Sequence, residues 1–245
     1  MFVIGAIISP ICLFVSYFVF QNSIGIFTTL FITIAMTPFM VNLVRYEEDR
    51  EEQLQDIEKM NFIQRHRDIL IVYTAFFIGI TLSMSIIYIV LPQNIVKIIF
   101  QDQMNEINAI RADVTFAENF QKIVVNNFGV LFLSFLFSFL FGAGAVFILS
   151  WNASILAAAI GDIAVKNFGG LIGLPVGIAV FFPHGSLEIL AYFIAGIAGG
   201  LVSSVILRRH SKKFWFVIKD SLQLMIVATI FLIIAGVIES LSIPA

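Results

Sequence analysis

The sequence predicts an all-α, polytopic transmembrane helix bundle, and three features predict it. These are the share of apolar side chains, their grouping into long blocks, and the confinement of charge to the segments between the blocks. Of the 245 residues 60% are hydrophobic and 12% charged, more apolar surface than a water-facing domain of this size can bury. The 27 Phe and the many Ile, Leu and Val residues fall in blocks of about 18 residues or more, the length a helix needs to cross about 30 Å of hydrocarbon. The net charge of −2 matters less than how charge is divided between the loops. Cys12 stands alone in an apolar block, so it forms no intrachain disulfide and offers no cysteine-based metal site.

The first block, Phe2 to Phe20, has no basic n-region and no small-x-small cleavage site after it, so it reads as a retained helix. Apolar helices follow at about 24 to 44, 69 to 91, 125 to 150, 186 to 207 and 215 to 238. The stretch from 151 to 182 is apolar but interrupted by Asp162, Lys166, Asn167, Gly169 and Gly170. It leaves Phe168 to Phe182 as a run of about 22 Å, too short to span alone, so a broken or partly re-entrant helix is expected there. The total is about seven segments.

Charge fixes the expected orientation. Residues 45 to 68 carry Arg45, Arg50, Lys59, Arg65 and Arg67, and 208 to 214 carry Arg208, Arg209, Lys212 and Lys213. Lysine and arginine mark the inner side, so both segments are expected in the cytoplasm, with the N-terminus inside and the C-terminus outside. Both basic segments lie inside only if 151 to 182 makes an odd number of crossings. Residues 1–68 then form a two-helix hairpin with a charged cytoplasmic helix, and 69–245 form a core with an outer amphipathic connection at 92–124. Residues 46 to 67 have no Gly or Pro and a narrow stripe at Leu54, Ile57 and Met60, which suits a solvated extension of the second helix or a docking site for a protein partner. Phe100, Met104, Ile107, Ile110 and Val114 recur near helical spacing, so the outer connection is expected to lie on the membrane surface or to cap the bundle.

No Walker loop, dinucleotide fingerprint, HExxH, GxSxG or metal-spaced Cys/His set is present, so no enzyme, cofactor or nucleic-acid partner is indicated. What remains are polar residues in or beside apolar blocks, where burial is costly. Pro183 and Gly185 are expected to break a helix that restarts toward Glu188, placing His184 and Glu188 on one face. Two readings fit: a ligand- or proton-binding pair, or a cap with Gly185 at N-cap and Glu188 at N3. Asn126, Asn127, Asn152 and Asp162 are the other polar candidates, with Asp162 also placed to pair with Lys166 four residues on. Gly169, Gly173, Gly177, Gly196 and Gly200, with Ala153, Ala157 and Gly161, repeat at spacings of four, a pattern that lets helix backbones approach closely in lipid.

Asn126-Asn127, the run Gly142-Ala143-Gly144-Ala145, Trp151-Asn152-Ala153 and above all Pro183-His184-Gly185-x-x-Glu188 with Ala195-Gly196 resemble the stage II sporulation protein M family. The resemblance is most specific over about 120 to 205, and the first 68 residues with Leu91-Pro92-Gln93-Asn94 resemble its archaeal branch. The resemblance implies an integral membrane protein. The bacterial namesake's action with a peptidoglycan hydrolase complex has no matching binding element in this sequence. Three functions compete: a non-enzymatic membrane scaffold or partner-recruiting protein, a small transporter or channel with a polar site at the broken helix, and, last, an intramembrane hydrolase using His184 and Glu188. The scaffold reading leads as long as Pro183 to Glu188 lies at the outer edge against the cap. Lipid bilayer, a protein partner or further copies of the chain are the partners this implies.

Overall fold

Hydrocarbon offers a backbone no hydrogen-bond partner, so each apolar block can cross only as a helix that satisfies its own amides. A computed structural model describes residues 1–53, 66–110, 116–141, 145–207 and 214–242. Among these residues there are nine α-helices: α1 Phe2–Val19, α2 Ile24–Gln53, α3 Arg67–Val90, α4 Gln93–Ile99, α5 Gln101–Ile110, α6 Phe116–Phe141, α7 Ala145–Phe168, α8 Leu174–Leu207 and α9 Phe214–Ser242. Seven of them, all but α4 and α5, are long and apolar enough to cross a membrane. The expected fold class is the one found.

The α1–α2 hairpin turns through Ser23 at φ 56°, with the rings of Phe20 and Phe27 stacked across the turn. α1 lies along α3, where two glycines bring the backbones together. A Cβ on Gly5 would stand 2.6 Å from the Phe76 carbonyl oxygen, and one on Gly79 would collide with the carbonyl of Phe2. α2 runs on as helix from Leu43, where its apolar span ends, to Gln53. The stripe at Leu54, Ile57 and Met60 lies outside the described residues.

The helices α4 and α5 cap one end of the bundle. Phe100, between α4 and α5, is fully buried with its ring edge-on to Tyr88 at 5.1 Å. Gln103 of α5 is also fully buried and donates from Nε2 to Ser154 Oγ of α7 at 3.2 Å. Asp102 accepts from the Gly25 amide at 3.1 Å, tying the cap to the start of α2. At the opposite end His66 Nε2 and Asp220 Oδ2 stand 3.4 Å apart, both buried. That contact joins the start of α3 to the first turns of α9, so these two helix starts lie at the same end of the bundle; residues 54–65 and 208–213 lie outside the described residues.

Three boundaries differ from expectation. The helix expected from 125 to 150 is two helices, α6 ending at Phe141 and α7 beginning at Ala145, around the glycine-bearing stretch 142–144 that lies outside the described residues. The expected broken segment 151 to 182 is shared between α7, which is unbroken through Asp162 and Lys166, and the start of α8. The change of direction falls at Gly169 and Gly170, with φ of 71° and 135°, followed by a short 3-10 turn at Leu171–Gly173. The first angle favours glycine and the second is open to glycine alone, which is why the chain turns there.

Pro183 does not break the helix. It lies inside α8, which runs uninterrupted from Leu174 to Leu207. Proline removes one amide donor, and a membrane helix held by its neighbours tolerates that loss. Gly185 is therefore an interior residue of α8, and Glu188 cannot be the N3 residue of a restarted helix.

α8 is packed on its neighbours through its small residues. A Cβ on Gly173 would stand 2.8 Å from Ala164 Cα and one on Gly177 2.8 Å from the Ile160 carbonyl oxygen, both on α7. On Gly196 it would meet Ala145 Cβ at 2.8 Å, and on Gly199 it would collide with the Phe135 carbonyl of α6. Gly200 is buried in the same stretch. Gly169, by contrast, serves the turn, and a Cβ there would meet nothing within 4 Å.

Gly199→Ala is therefore expected to destabilise the protein by about 1–3 kcal/mol through overpacking. Gly129→Ala, where a Cβ meets nothing within 4 Å, is expected to be neutral or stabilising because alanine favours helix. Thermal unfolding in detergent reads both; equal melting temperatures for the two variants would refute the close-approach account.

Candidate functional site

Three membrane-spanning helices bring polar side chains to one place. Glu188 stands near the middle of α8 and its Oε1 accepts from Asn127 Nδ2 of α6 at 2.7 Å. Asn126 Nδ2 in turn donates to Asn127 Oδ1 at 3.3 Å, which fixes the amide with its donor toward the carboxyl. Asn127 is buried and Asn126 exposed. From α9, Glu239 brings its carboxyl close enough to that of Glu188 for the two to interact. Tyr192, one turn along α8 from Glu188 and 3% exposed, lies within electrostatic reach of both carboxyls.

Two ionised carboxylates have only acceptors to offer one another. Their contact is held by a proton on one of them or by a cation between them. Asn127 supplies a neutral donor to one carboxyl oxygen and leaves the face toward Glu239 open for that role.

His184 does not join this group. It is buried, its ring meets Phe181 edge-on at 5.9 Å, and its Nδ1 has no protein hydrogen-bond partner. No hydrogen bond links it to Glu188, whose partners are on α6 and α9. Asn152 is also apart, donating from Nδ2 to the Ile148 carbonyl of its own helix at 2.8 Å. Asp162 forms a separate polar contact at the capped end, accepting from Tyr88 OH at 3.2 Å and from Lys166 Nζ at 2.9 Å. Among the described residues no three His, Cys, Asp or Glu side chains are grouped to hold a metal ion.

The model of the family described as stage II sporulation protein M matches residues 1–242. The chain belongs to that family. It is also similar to an uncharacterized protein of Methanocaldococcus jannaschii, 32% identical over 126 residues that make up 49% of this chain and 68% of that protein. No solved structure gives a significant match.

Within this family member, sequence reasoning found Glu188, Asn126 and Asn127 and missed Glu239, Tyr192 and Tyr88. The expected last helix stopped at 238, one residue short of Glu239, which left the acid looking like the edge of a loop. The available signal was that Glu239 is the sole charged residue after Asp220. Tyr192 and Tyr88 read as ordinary apolar-face aromatics because their role depends on which helix they face.

Removing the one neutral donor is expected to weaken this arrangement. Asn127→Ala should cost about 1–2 kcal/mol, and Asn127→Asp more, because it sets a third carboxyl against the pair. Asn126→Ala, at an exposed position, should stay within about 0.5 kcal/mol of the parent. Thermal melting in detergent provides the ranking, and an Asn127→Asp protein as stable as the parent would show that Glu188 and Asn127 do not meet.

Proposed function

We propose that this member of the family is a small, non-enzymatic membrane transporter in which Glu188 and Glu239 bind and release a proton or small cation. The observation behind this reading is the meeting of two carboxyls from different membrane-spanning helices. Ionisable groups are rare at such positions because lipid gives them no solvation, and where they occur they are usually part of an ion or proton pathway. A site formed between helices can open when one helix shifts against the others, the geometry that alternating access requires.

The sequence-level preference for a scaffold depended on Pro183 to Glu188 lying at the outer edge under the cap. Glu188 meets Asn127 near the start of the α6 span and Glu239 near the end of the α9 span, and the cap made by α4 and α5 meets α2, α3 and α7 instead. A scaffold that recruits a protein partner or further copies of the chain is the second reading. It is favoured by one feature, the charged helical arm of α2 that continues beyond Leu43 to Gln53. In both readings the arm and the N-terminus lie in the cytoplasm and the C-terminus outside, as the basic residues of 45 to 68 and 208 to 214 direct. Membership of the archaeal branch is part of the same reading, in keeping with the Methanocaldococcus relative.

Transport is tested in liposomes carrying the purified protein and an internal pH dye. An imposed sodium or potassium gradient is expected to move protons through the parent protein. Glu188→Gln and Glu239→Gln, which keep shape, are expected to fall to the empty-liposome baseline with near-parental folded yield. Folded parent protein that moves neither protons nor cations would remove the transport reading. A proton signal that needs no particular metal cation would assign the site to the proton alone.

Orientation is read independently by single cysteines at Glu52, Ser211 and Glu106 in a Cys12→Ala background. An impermeant reagent added outside is expected to label the cysteine at 106 alone. Labelling at 211 together with 106 would overturn the assigned sidedness.

A further inference from the structure

Many buried helix hydroxyls in this molecule find a local acceptor, Ser16 and Ser134 being exceptions. Ser9 donates to the Gly5 carbonyl at 2.8 Å, Thr28 to Ile24 at 2.7 Å, Thr29 to Gly25 at 3.0 Å and Thr33 to Thr29 at 2.7 Å. The interface between α3 and α7 breaks this habit. Tyr73 OH, Thr81 Oγ1, Ser150 Oγ and Gln103 Oε1 are all buried with no protein hydrogen-bond partner. Their residues are 2%, 5%, 0% and 0% exposed. They are half of the eight buried, unpartnered side-chain atoms among the described residues; Tyr73, Thr81 and Ser150 are on the two helices of this seam, and Gln103 reaches it from α5 at Ser154.

The two helices run parallel and in register. Ser85 Oγ donates to the Ala157 carbonyl at 3.2 Å, and Tyr88 reaches Asp162. One turn further in, that register sets Thr81 level with Ser154, the residue that receives Gln103. Further in again, Tyr73 and Ser150 line one cleft together with Met40, Phe76, Phe77 and Leu149. The polar positions thus form a file from Asp162 and Lys166 at the capped end to Tyr73. The cleft has no room for a water molecule as it stands.

Gln103 occupies the middle of the file. It enters from α5 against Gly25, where an added Cβ would meet its side chain at 2.5 Å, so glycine is what gives it room. The Gln103 side chain is a polar plug on a short helix.

We propose that the α3–α7 seam is a binding site for a file of water molecules, which enter when Gln103 of α5 withdraws. A buried polar atom without a partner is destabilising, and three hydroxyls and an amide oxygen in one file share a single remedy. A water molecule can both donate and accept, as a mixed file of hydroxyls and an amide oxygen requires. The site is distinct from the Glu188–Glu239 pair, and the inference does not depend on the transport reading.

Two measurements test it. Thr81→Val and Tyr73→Phe remove the hydroxyls at nearly constant shape. If the seam takes up water, both variants lose hydrogen bonds and melt lower than the parent; if it stays dry, they shed an unpartnered polar group and melt at the same temperature or higher, which overturns the proposal. The second measurement is radiolytic footprinting in nanodiscs, where hydroxyl radicals formed from bound water oxidise adjacent side chains. Tyr73 is expected to be oxidised in the parent and several-fold faster in Gln103→Ala, while Leu232 on α9, fully buried, stays protected as the control for folding. Tyr73 as protected as Leu232 in both proteins would likewise overturn the proposal.

Discussion

Helices surrounded by lipid gain little from burying apolar side chains against one another, because the lipid is as apolar as they are; what holds them is close fit. In this protein the fit depends on α8, whose glycines touch α7 on one side and α6 on the other. Gly177 and Gly196 face α7, as does Gly173 in the turn just before α8, and Gly199 faces the backbone of α6 at Phe135. That approach is closer than any side chain with a Cβ permits. It decides which polar groups can meet, since Asn127 on α6 reaches Glu188 on α8 only because the two helices lie this close.

The same constraint explains why Pro183 is tolerated. A proline in an isolated helix breaks it, and the sequence taken alone argues for a break at Pro183 and Gly185. Here α8 is clamped by packing on both sides of the proline, by Gly173 and Gly177 before it and by Gly196 and Gly199 after it. One missing hydrogen bond does not outweigh two flanking contacts of that kind. Gly169 and Gly170 have no such contacts, and the chain turns there. A local signal for a break acts where tertiary packing does not oppose it, which is a general limit on reading boundaries from glycine and proline.

Much of the fold was legible because the signal for a membrane span is composition over a whole turn-rich length, and that signal survives errors of a few residues. Seven crossings and the cap with Phe100 at its centre could be read that way. The site was legible only in part. Asn127 and Glu188 were singled out because polar residues are conspicuous in apolar blocks, yet nothing in their spacing says that they meet each other, since they are 61 residues apart in the chain. The pairing expected instead, His184 with Glu188, came from sequence nearness within one helix. The carboxyl of Glu188 meets an amide donor on α6 at 2.7 Å, a partner from another helix that nearness in sequence does not reveal. Glu239 escaped notice for a different reason, a boundary set one residue too early.

Consecutive residues of α8 connect the two polar regions. Tyr192 faces the Glu188–Glu239 pair, and Phe193 faces α3, with its ring 5.8 Å from both Tyr73 and Phe77. Tyr73 and Phe77 line the cleft at the inner end of the hydroxyl seam. A rotation or slide of α8 that separated the two carboxyls would carry Phe193 across the rings that close this cleft. The carboxyl pair and the seam thus border the same helix, on consecutive residues of α8.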